Sequence, residues 1–169
     1  MTAVRPLRER LADLPQRGRL MWIGVRPAHG APMIVVDEVE VVADLGLVGD
    51  RTAAGRGGGR RQVTLVQAEH LPVVAGFLGL AAIEPRQVRR NLVVAGLNLV
   101  ALNNLRFAIG EVVLVGTGSC APCAKLDETI APGAFQAMRG HGGLTAKVER
   151  GGTLRLGDEI RALGPASPA

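Results

Sequence analysis

Short β-rich apolar runs, each stopped by glycine, proline or a polar cluster, dominate the hydrophobic pattern of this chain. "RLMWIGVRP" (19–27) and "MIVVDEVEVV" (33–42) are two such runs, and the turn-like "AHGA" between them predicts a hairpin. "QVTLV" (62–66), "NLVVAG" (91–96) and "LRFAIGEVVLVGTG" (105–118) read as further strands, the last as two strands or one bent at Gly110. "LTAKVERGGTLRLGDEIRAL" (144–163) predicts a hairpin across Gly151–Gly152 and a tight bend at Gly157–Asp158. Helical spacing is rarer. Leu7, Leu11 and Leu14, set between Pro6 and Pro15, predict a short helix docked on the body of the domain. A second helix over roughly 68–79 tolerates Pro72 only in its first turn, and "GAFQAMRG" (133–140) predicts a third.

About seven or eight strands without regular strand–helix alternation do not suit a doubly wound parallel sheet. The expected fold is mainly β: a closed or nearly closed, mostly antiparallel barrel with two or three short helices, since closure removes sheet edges. Composition agrees, because 23 Gly and 10 Pro supply turns and 47% hydrophobic residues supply a core. A chain of 169 residues has room for one domain. The expected division is an N-terminal extension at 1–18, the barrel at 19–163 and a disordered tail at 164–169. The N-terminus lacks the apolar core of a signal peptide, and no stretch approaches eighteen uninterrupted apolar residues. A soluble, cytoplasmic protein with no membrane partner is the expectation.

Charge changes the picture at one place. The net +5 is nearly accounted for by "RTAAGRGGGRR" (51–61), which carries four Arg and no acid. Such a loop suits a compact anion such as phosphate better than a polyanion track. Single-strand nucleic-acid binding also needs aromatic platforms, and Trp22, Phe77, Phe107 and Phe135 are too scattered to make one. Nucleic acid is therefore not the expected partner.

Both cysteines lie in "GTGSCAPCAKLDE" (116–128). "CAPC" has the spacing of a dithiol redox site, but such sites open a helix within a βαβ unit. Zinc needs two further ligands, and His29, His70 and His141 show no ligand spacing. A single working thiol at Cys123 is a third reading, with Lys125 nearby and the N–H groups of a following helical turn facing the sulfur. A buried, inert cysteine is the fourth.

Four ordered blocks narrow these choices: "GLVGDR" (46–51), "RRNLVVAGLNL" (89–99), "IGEVVLVGTGSCAPCAKL" (109–126) and "GHGGLTAKVERGGTLRLGDEI" (140–160). Together they resemble the MOSC domain, named for the C-terminal domain of molybdenum cofactor sulfurases. The resemblance runs from about residue 20 to 162. It implies a β-barrel and association with the molybdenum cofactor, a pterin with a dithiolene-bound metal and a terminal phosphate. The family's cysteine element matches "PCAKL" (122–126), which implies Cys123 as metal ligand or sulfur carrier and leaves Cys120 incidental. Asp50, Arg51, Arg60, Arg61, Arg90, Asn91 and Lys125 are the expected cofactor-binding residues, with Gly142 and Gly143 giving close backbone approach. The implied reaction is reduction of N-hydroxylated compounds or delivery of sulfur to the metal; the alternative is a carrier without turnover. No pyridoxal-phosphate desulfurase region is present, so a separate sulfur donor or electron-donor protein is implied.

Overall fold

A computed structural model describes residues 4–166. Seven strands close a barrel: β1 (Gly18–Val25), β5 (Val63–Gln67), β6 (Leu92–Ala95), β7 (Leu105–Ile109), β8 (Val112–Ser119), β9 (Leu144–Arg150) and β11 (Glu159–Pro165). Their order around the wall is β1, β11, β7, β8, β9, β5, β6 and back to β1. Every ladder in that ring is antiparallel except β5–β6, which is parallel and bridged by helix α2 (His70–Leu78). A parallel pair requires such a crossover, because no tight turn can join strands running the same way.

The single run 33–42 divides at Asp37. Its first half, β2 (Ile34–Val36), pairs with β1 as the predicted hairpin. Its second half, β3 (Glu38–Val42), joins a separate small sheet with β4 (Gly46–Leu47) and β10 (Gly152–Arg155). The predicted hairpin across Gly151–Gly152 does not form. β9 pairs with β5 and β8, the chain leaves the barrel at that glycine pair, and β10 pairs with β3 instead. The bend at Gly157–Asp158 is present, with the Asp158 carboxylate accepting from the Arg155 N–H at 2.8 Å.

Alternation within the strands builds two cores. Inward residues, among them Leu20, Ile23, Leu65, Leu92, Phe107, Ile109 and Leu114, fill the barrel and are fully buried. Each such side chain contributes roughly 1.5–3 kcal/mol relative to exposure. Outward residues Val66 and Val93 lie under a helical layer, which supplies Leu71 and Val74 from α2, Leu126 from α3 (Lys125–Thr129) and Met138 beyond α4 (Ala134–Ala137). Pro72 falls in the first turn of α2, where it costs no helix hydrogen bond.

The N-terminal helix α1 (Leu7–Ala12) forms without the expected docking. Leu7 and Leu11 are 70% and 68% exposed, and only Leu14 packs against the barrel core. At the other end, β11 runs through Gly164 and Pro165, into the segment read as a disordered tail; 167–169 lie outside the described residues. Among the described residues, no helix is long and apolar enough to cross a membrane.

Candidate functional site

β8 delivers the cysteine segment to one end of the barrel. Cys120 follows the strand, is 2% exposed, and its N–H donates to the Gly143 carbonyl at 2.8 Å. Cys123 is half-buried, packed on one side against the Leu126–Met138 core. Both are free thiols. The turn that opens α3 is fastened by Leu126, whose N–H donates to the Cys123 carbonyl at 3.1 Å and whose side chain is fully buried. That N–H and the Asp127 N–H, which donates to the Ala124 carbonyl, are therefore spent within the turn rather than aimed at the sulfur.

Cys123 lies on the wall of a cleft of about 580 Å3. The charged groups lining it are all cations: Arg26, Arg51, Arg61, Arg89 and Lys125. Arg26 Nε is buried and has no hydrogen-bond partner among the described residues. Burial, and then the neighbouring guanidinium groups of Arg89, Arg51 and Arg61, push the Arg26 pKa below its ordinary value, with Asp50 opposing. Arg89 holds a left-handed backbone, φ +59°, as it leaves the short 3-10 helix Pro85–Val88. A non-glycine residue held there stores strain of order 1–2 kcal/mol.

Of the expected cofactor-binding residues, Arg51, Arg61, Asn91 and Lys125 line this cleft with Cys123. Lys125 also approaches Glu128 at 3.4 Å. Asp50 is buried behind the rim, and both carboxylate oxygens serve the chain itself. Oδ2 accepts from the Arg26 N–H and from Asn91 Nδ2, each at 2.9 Å, while Oδ1 accepts from the Thr52 N–H at 2.9 Å. Asn91 is the second half of that latch. Its Oδ1 accepts from the Thr64 N–H and hydroxyl, and its Nδ2 also donates to the Gly24 carbonyl. Asp50→Ala is expected to orphan three donors and destabilise the protein by about 2 kcal/mol or more, read as a lower urea midpoint.

Arg90 is not in the cleft. It is 1% exposed and donates to the Gly142, Val88 and Ala121 carbonyls at 2.8, 3.2 and 3.1 Å, with Cys120 O at 3.5 Å. The adjacent Arg89 takes the cleft position instead. Arg60 stands outside the lining as well, because its Nη2 donates to the Thr117 carbonyl at 3.0 Å and the Thr117 hydroxyl donates back to the Arg60 carbonyl at 2.7 Å. Gly142 and Gly143 do allow close approach, but of this chain's own backbone: a Cβ on either would collide with the carbonyl oxygen of Cys120 or of Leu65, respectively.

Sequence reasoning passed over Arg26 and Arg89. Arg26 closes the first predicted strand, and Arg89 sits beside the residue chosen. The signal available for Arg26 was its place at a strand end, followed by proline. For Arg89 there was none, since only the left-handed turn decides which of two consecutive arginines faces out.

The MOSC domain model matches residues 49–161. Among solved structures, the YuaD protein from Bacillus subtilis superposes with a TM-score of 0.74 at 22% identity, over 86% of this chain and 95% of that one. YiiM from Escherichia coli gives 0.66 at 23% identity, over 89% and 72%. YiiM from Geobacillus stearothermophilus gives 0.68 at 16%, over 86% and 75%. At these identities the likeness to the solved structures is one of fold. A comparison with curated proteins finds no match.

Proposed function

The chain belongs to the MOSC domain family, which is associated with molybdenum cofactor binding, and we propose that the arginine-lined cleft is where this chain holds that cofactor. Cys123 is then the metal ligand or sulfur carrier, and the other members of the cleft wall bind and orient. One observation carries the reading: a half-buried thiol shares a cleft with five cations, one of which has an Nε–H without a partner among the described residues. The donor set fits the group. Guanidinium forks suit a phosphate, and a thiolate is a soft ligand for the metal.

When bound, the cofactor supplies a redox-active metal, for reduction of N-hydroxylated compounds or as the acceptor of sulfur. The chain does the rest. Arg26, Arg51, Arg61 and Arg89 hold the anionic end, and the helical layer behind Cys123 keeps water from one side of the sulfur. Arg90 clamps the Ala121 carbonyl of the thiol segment to the Gly142 carbonyl, beside the point where the buried Cys120 is tied to Gly143, while Cys123 faces the cleft. A separate electron donor or sulfur donor completes either reaction.

The test is molybdenum and pterin content per chain, for protein made in a host that synthesises the cofactor. Wild type and Cys120→Ser are expected to carry both, and Cys123→Ser to lose most of its metal while melting near the wild-type temperature. No cofactor in any of the three, even after reconstitution, ends this reading. Cofactor retained without turnover of hydroxylamine-type substrates or sulfur would make the protein a carrier.

A further inference from the structure

His29 lines the cleft, and the chain's other two histidines, His70 and His141, meet outside it. His70 opens α2, while His141 sits in the turn after α4, its N–H donating to the Met138 carbonyl at 2.9 Å. The two rings pack edge to face, with centroids 4.9 Å apart and planes at 87°. Phe77, further along α2, lies against His141 at 5.8 Å. These ring contacts join α2 to the α4 turn. Leu71, next to His70, and Met138, ahead of His141, belong to the core on which Trp22 and Cys123 pack.

Both histidines are half-buried, and Nδ1 of each is buried with no hydrogen-bond partner among the described residues. A neutral imidazole can keep its one N–H on Nε2 and leave Nδ1 bare. An imidazolium carries N–H on both nitrogens, so charging either ring buries a donor without an acceptor. Charging both also sets two cationic rings 4.9 Å apart. Little around the pair offsets that cost. Apart from His70, α2 and the β5 strand beneath it carry no titratable residue. Glu69, at the α2 N-cap, is the carboxylate acting on His70, and its Oε1 already accepts the Gly96 N–H at 2.7 Å. α4 has no charged residue, and Arg139 beyond it is a further cation, its Nη1 donating to Gln136 at 3.2 Å. On α3, which packs on α4, Lys125 pairs with Glu128, and the Asp127 carboxylate accepts the Phe135 N–H at 2.8 Å. Burial, and then the charge of His141, push the His70 pKa below its ordinary value, with Glu69 opposing.

We propose that the His70–His141 contact is an acid-labile latch: neutral rings hold α2 against the α4 turn, and protonation loosens the helical layer and uncovers the covered side of Cys123. A base whose pKa is lowered in the folded state contributes stability that is complete above its unfolded value, about 6.5, and lost as pH falls below it. The layer gives way before the barrel, because the barrel core is the larger and its wall is closed by hydrogen bonds. The latch stands whatever ligand the cleft takes; only its bearing on a cofactor-binding thiol rests on the proposed function.

Trp22, the chain's one tryptophan, packs on the helical-layer core, so its fluorescence reports the layer while far-UV circular dichroism reports the barrel. Lowering the pH from about 8 to about 5 is expected to move Trp22 emission reversibly to the red, with a midpoint below about 6.5 and little loss of circular dichroism. Histidine resonances of the wild type, which need no variant, are expected to show His70 charging over the same interval. His70→Phe keeps a ring in the contact but takes no proton, and is expected to lower the midpoint by about one pH unit. The double variant His70→Phe, His141→Phe is expected to abolish the transition, and His29→Gln to keep it. At about pH 5.5, Cys123 is expected to be alkylated at least about fivefold faster in wild type than in the double variant. Flat Trp22 emission, a transition that survives in the folded double variant, or circular dichroism lost at the same pH overturns the latch. Should the double variant not fold, a Trp22 transition in wild type without His70 charging alongside it overturns the latch as well. Equal alkylation rates overturn its effect on the thiol. Cofactor-loaded protein that shows no transition sinks this inference alone, and a transition in protein that never acquires cofactor sinks the cofactor reading alone.

Discussion

Replacing Arg90 by methionine is expected to lower the stability of the barrel by about 3 kcal/mol or more, and replacing it by lysine by an intermediate amount. The guanidinium reaches carbonyls from three separate stretches of chain, at Val88, at Cys120–Ala121 and at Gly142, all inside the protein. Each buried carbonyl left without a donor costs about 1–3 kcal/mol. Two effects oppose each other, because methionine also removes a charge that is buried without a carboxylate partner; that burial pushes the Arg90 pKa below its ordinary value. The orphaned carbonyls decide the sign. There are at least three, and a methionine thioether donates to none of them. Lysine keeps the charge but offers a point rather than a fork, so it cannot span all three segments. Urea unfolding measures the stability, and native-state alkylation measures the local effect. Wild type is expected to react at Cys123 alone, and Arg90→Lys at Cys120 as well, since the clamp on the Cys120 segment is loosened. A methionine variant as stable as wild type would show that the guanidinium does not hold these segments together.

Arg90 also marks the limit of what the sequence could tell. The barrel was legible because runs such as 62–66 and 105–118 stand out as short β-rich apolar stretches whatever their neighbours are. Pairing partners were not. "MIVVDEVEVV" is one run by composition, but Asp37 splits it between two sheets, and no residue in it names β10 as the partner of β3. The same gap explains the missing hairpin at Gly151–Gly152, where the glycines admit the backbone of β3 instead of reversing the strand: a Cβ on Gly151 would strike the Val41 carbonyl oxygen.

The candidate site divides along similar lines. Residue types were readable, so an anion-seeking arginine group and a thiol on the "PCAKL" segment could be named. Side-chain direction was not, because "GDR", "RRN" and "GHGG" are irregular backbone with no period to follow. Asp50 and Arg90 turned out to hold the cleft together from behind, Asn91 both lines it and fastens it to Asp50, and Arg26 and Arg89 line it. Polar residues that build a site and polar residues that face it have the same composition. They differ only in whether their donors and acceptors are already used.

Gly143→Ala is expected to be at least as damaging as any change at Arg90, costing about 4 kcal/mol or more and leaving little folded protein. Two penalties coincide there. The backbone sits at φ +90°, which an L side chain rarely adopts, and the new methyl would fall on the Leu65 carbonyl oxygen with Val66 Cα 2.9 Å away. The neighbours are backbone atoms of a barrel strand, so no side chain can swing aside. Gly140 separates the two effects, for it has φ +78° and nothing within 4 Å of where its Cβ would lie. Gly140→Ala therefore isolates the backbone penalty, about 1–2 kcal/mol. The remainder of the Gly143 effect measures how closely β5 and the start of β9 must approach. That approach has a consequence for the thiol, because the Gly143 carbonyl is the acceptor for the Cys120 N–H. Any Gly143→Ala protein that does fold should then show the Cys120 amide exchanging faster than in wild type. Equal, mild losses at both glycines would mean that backbone conformation alone demands glycine at 143, and that the β5–β9 contact yields readily.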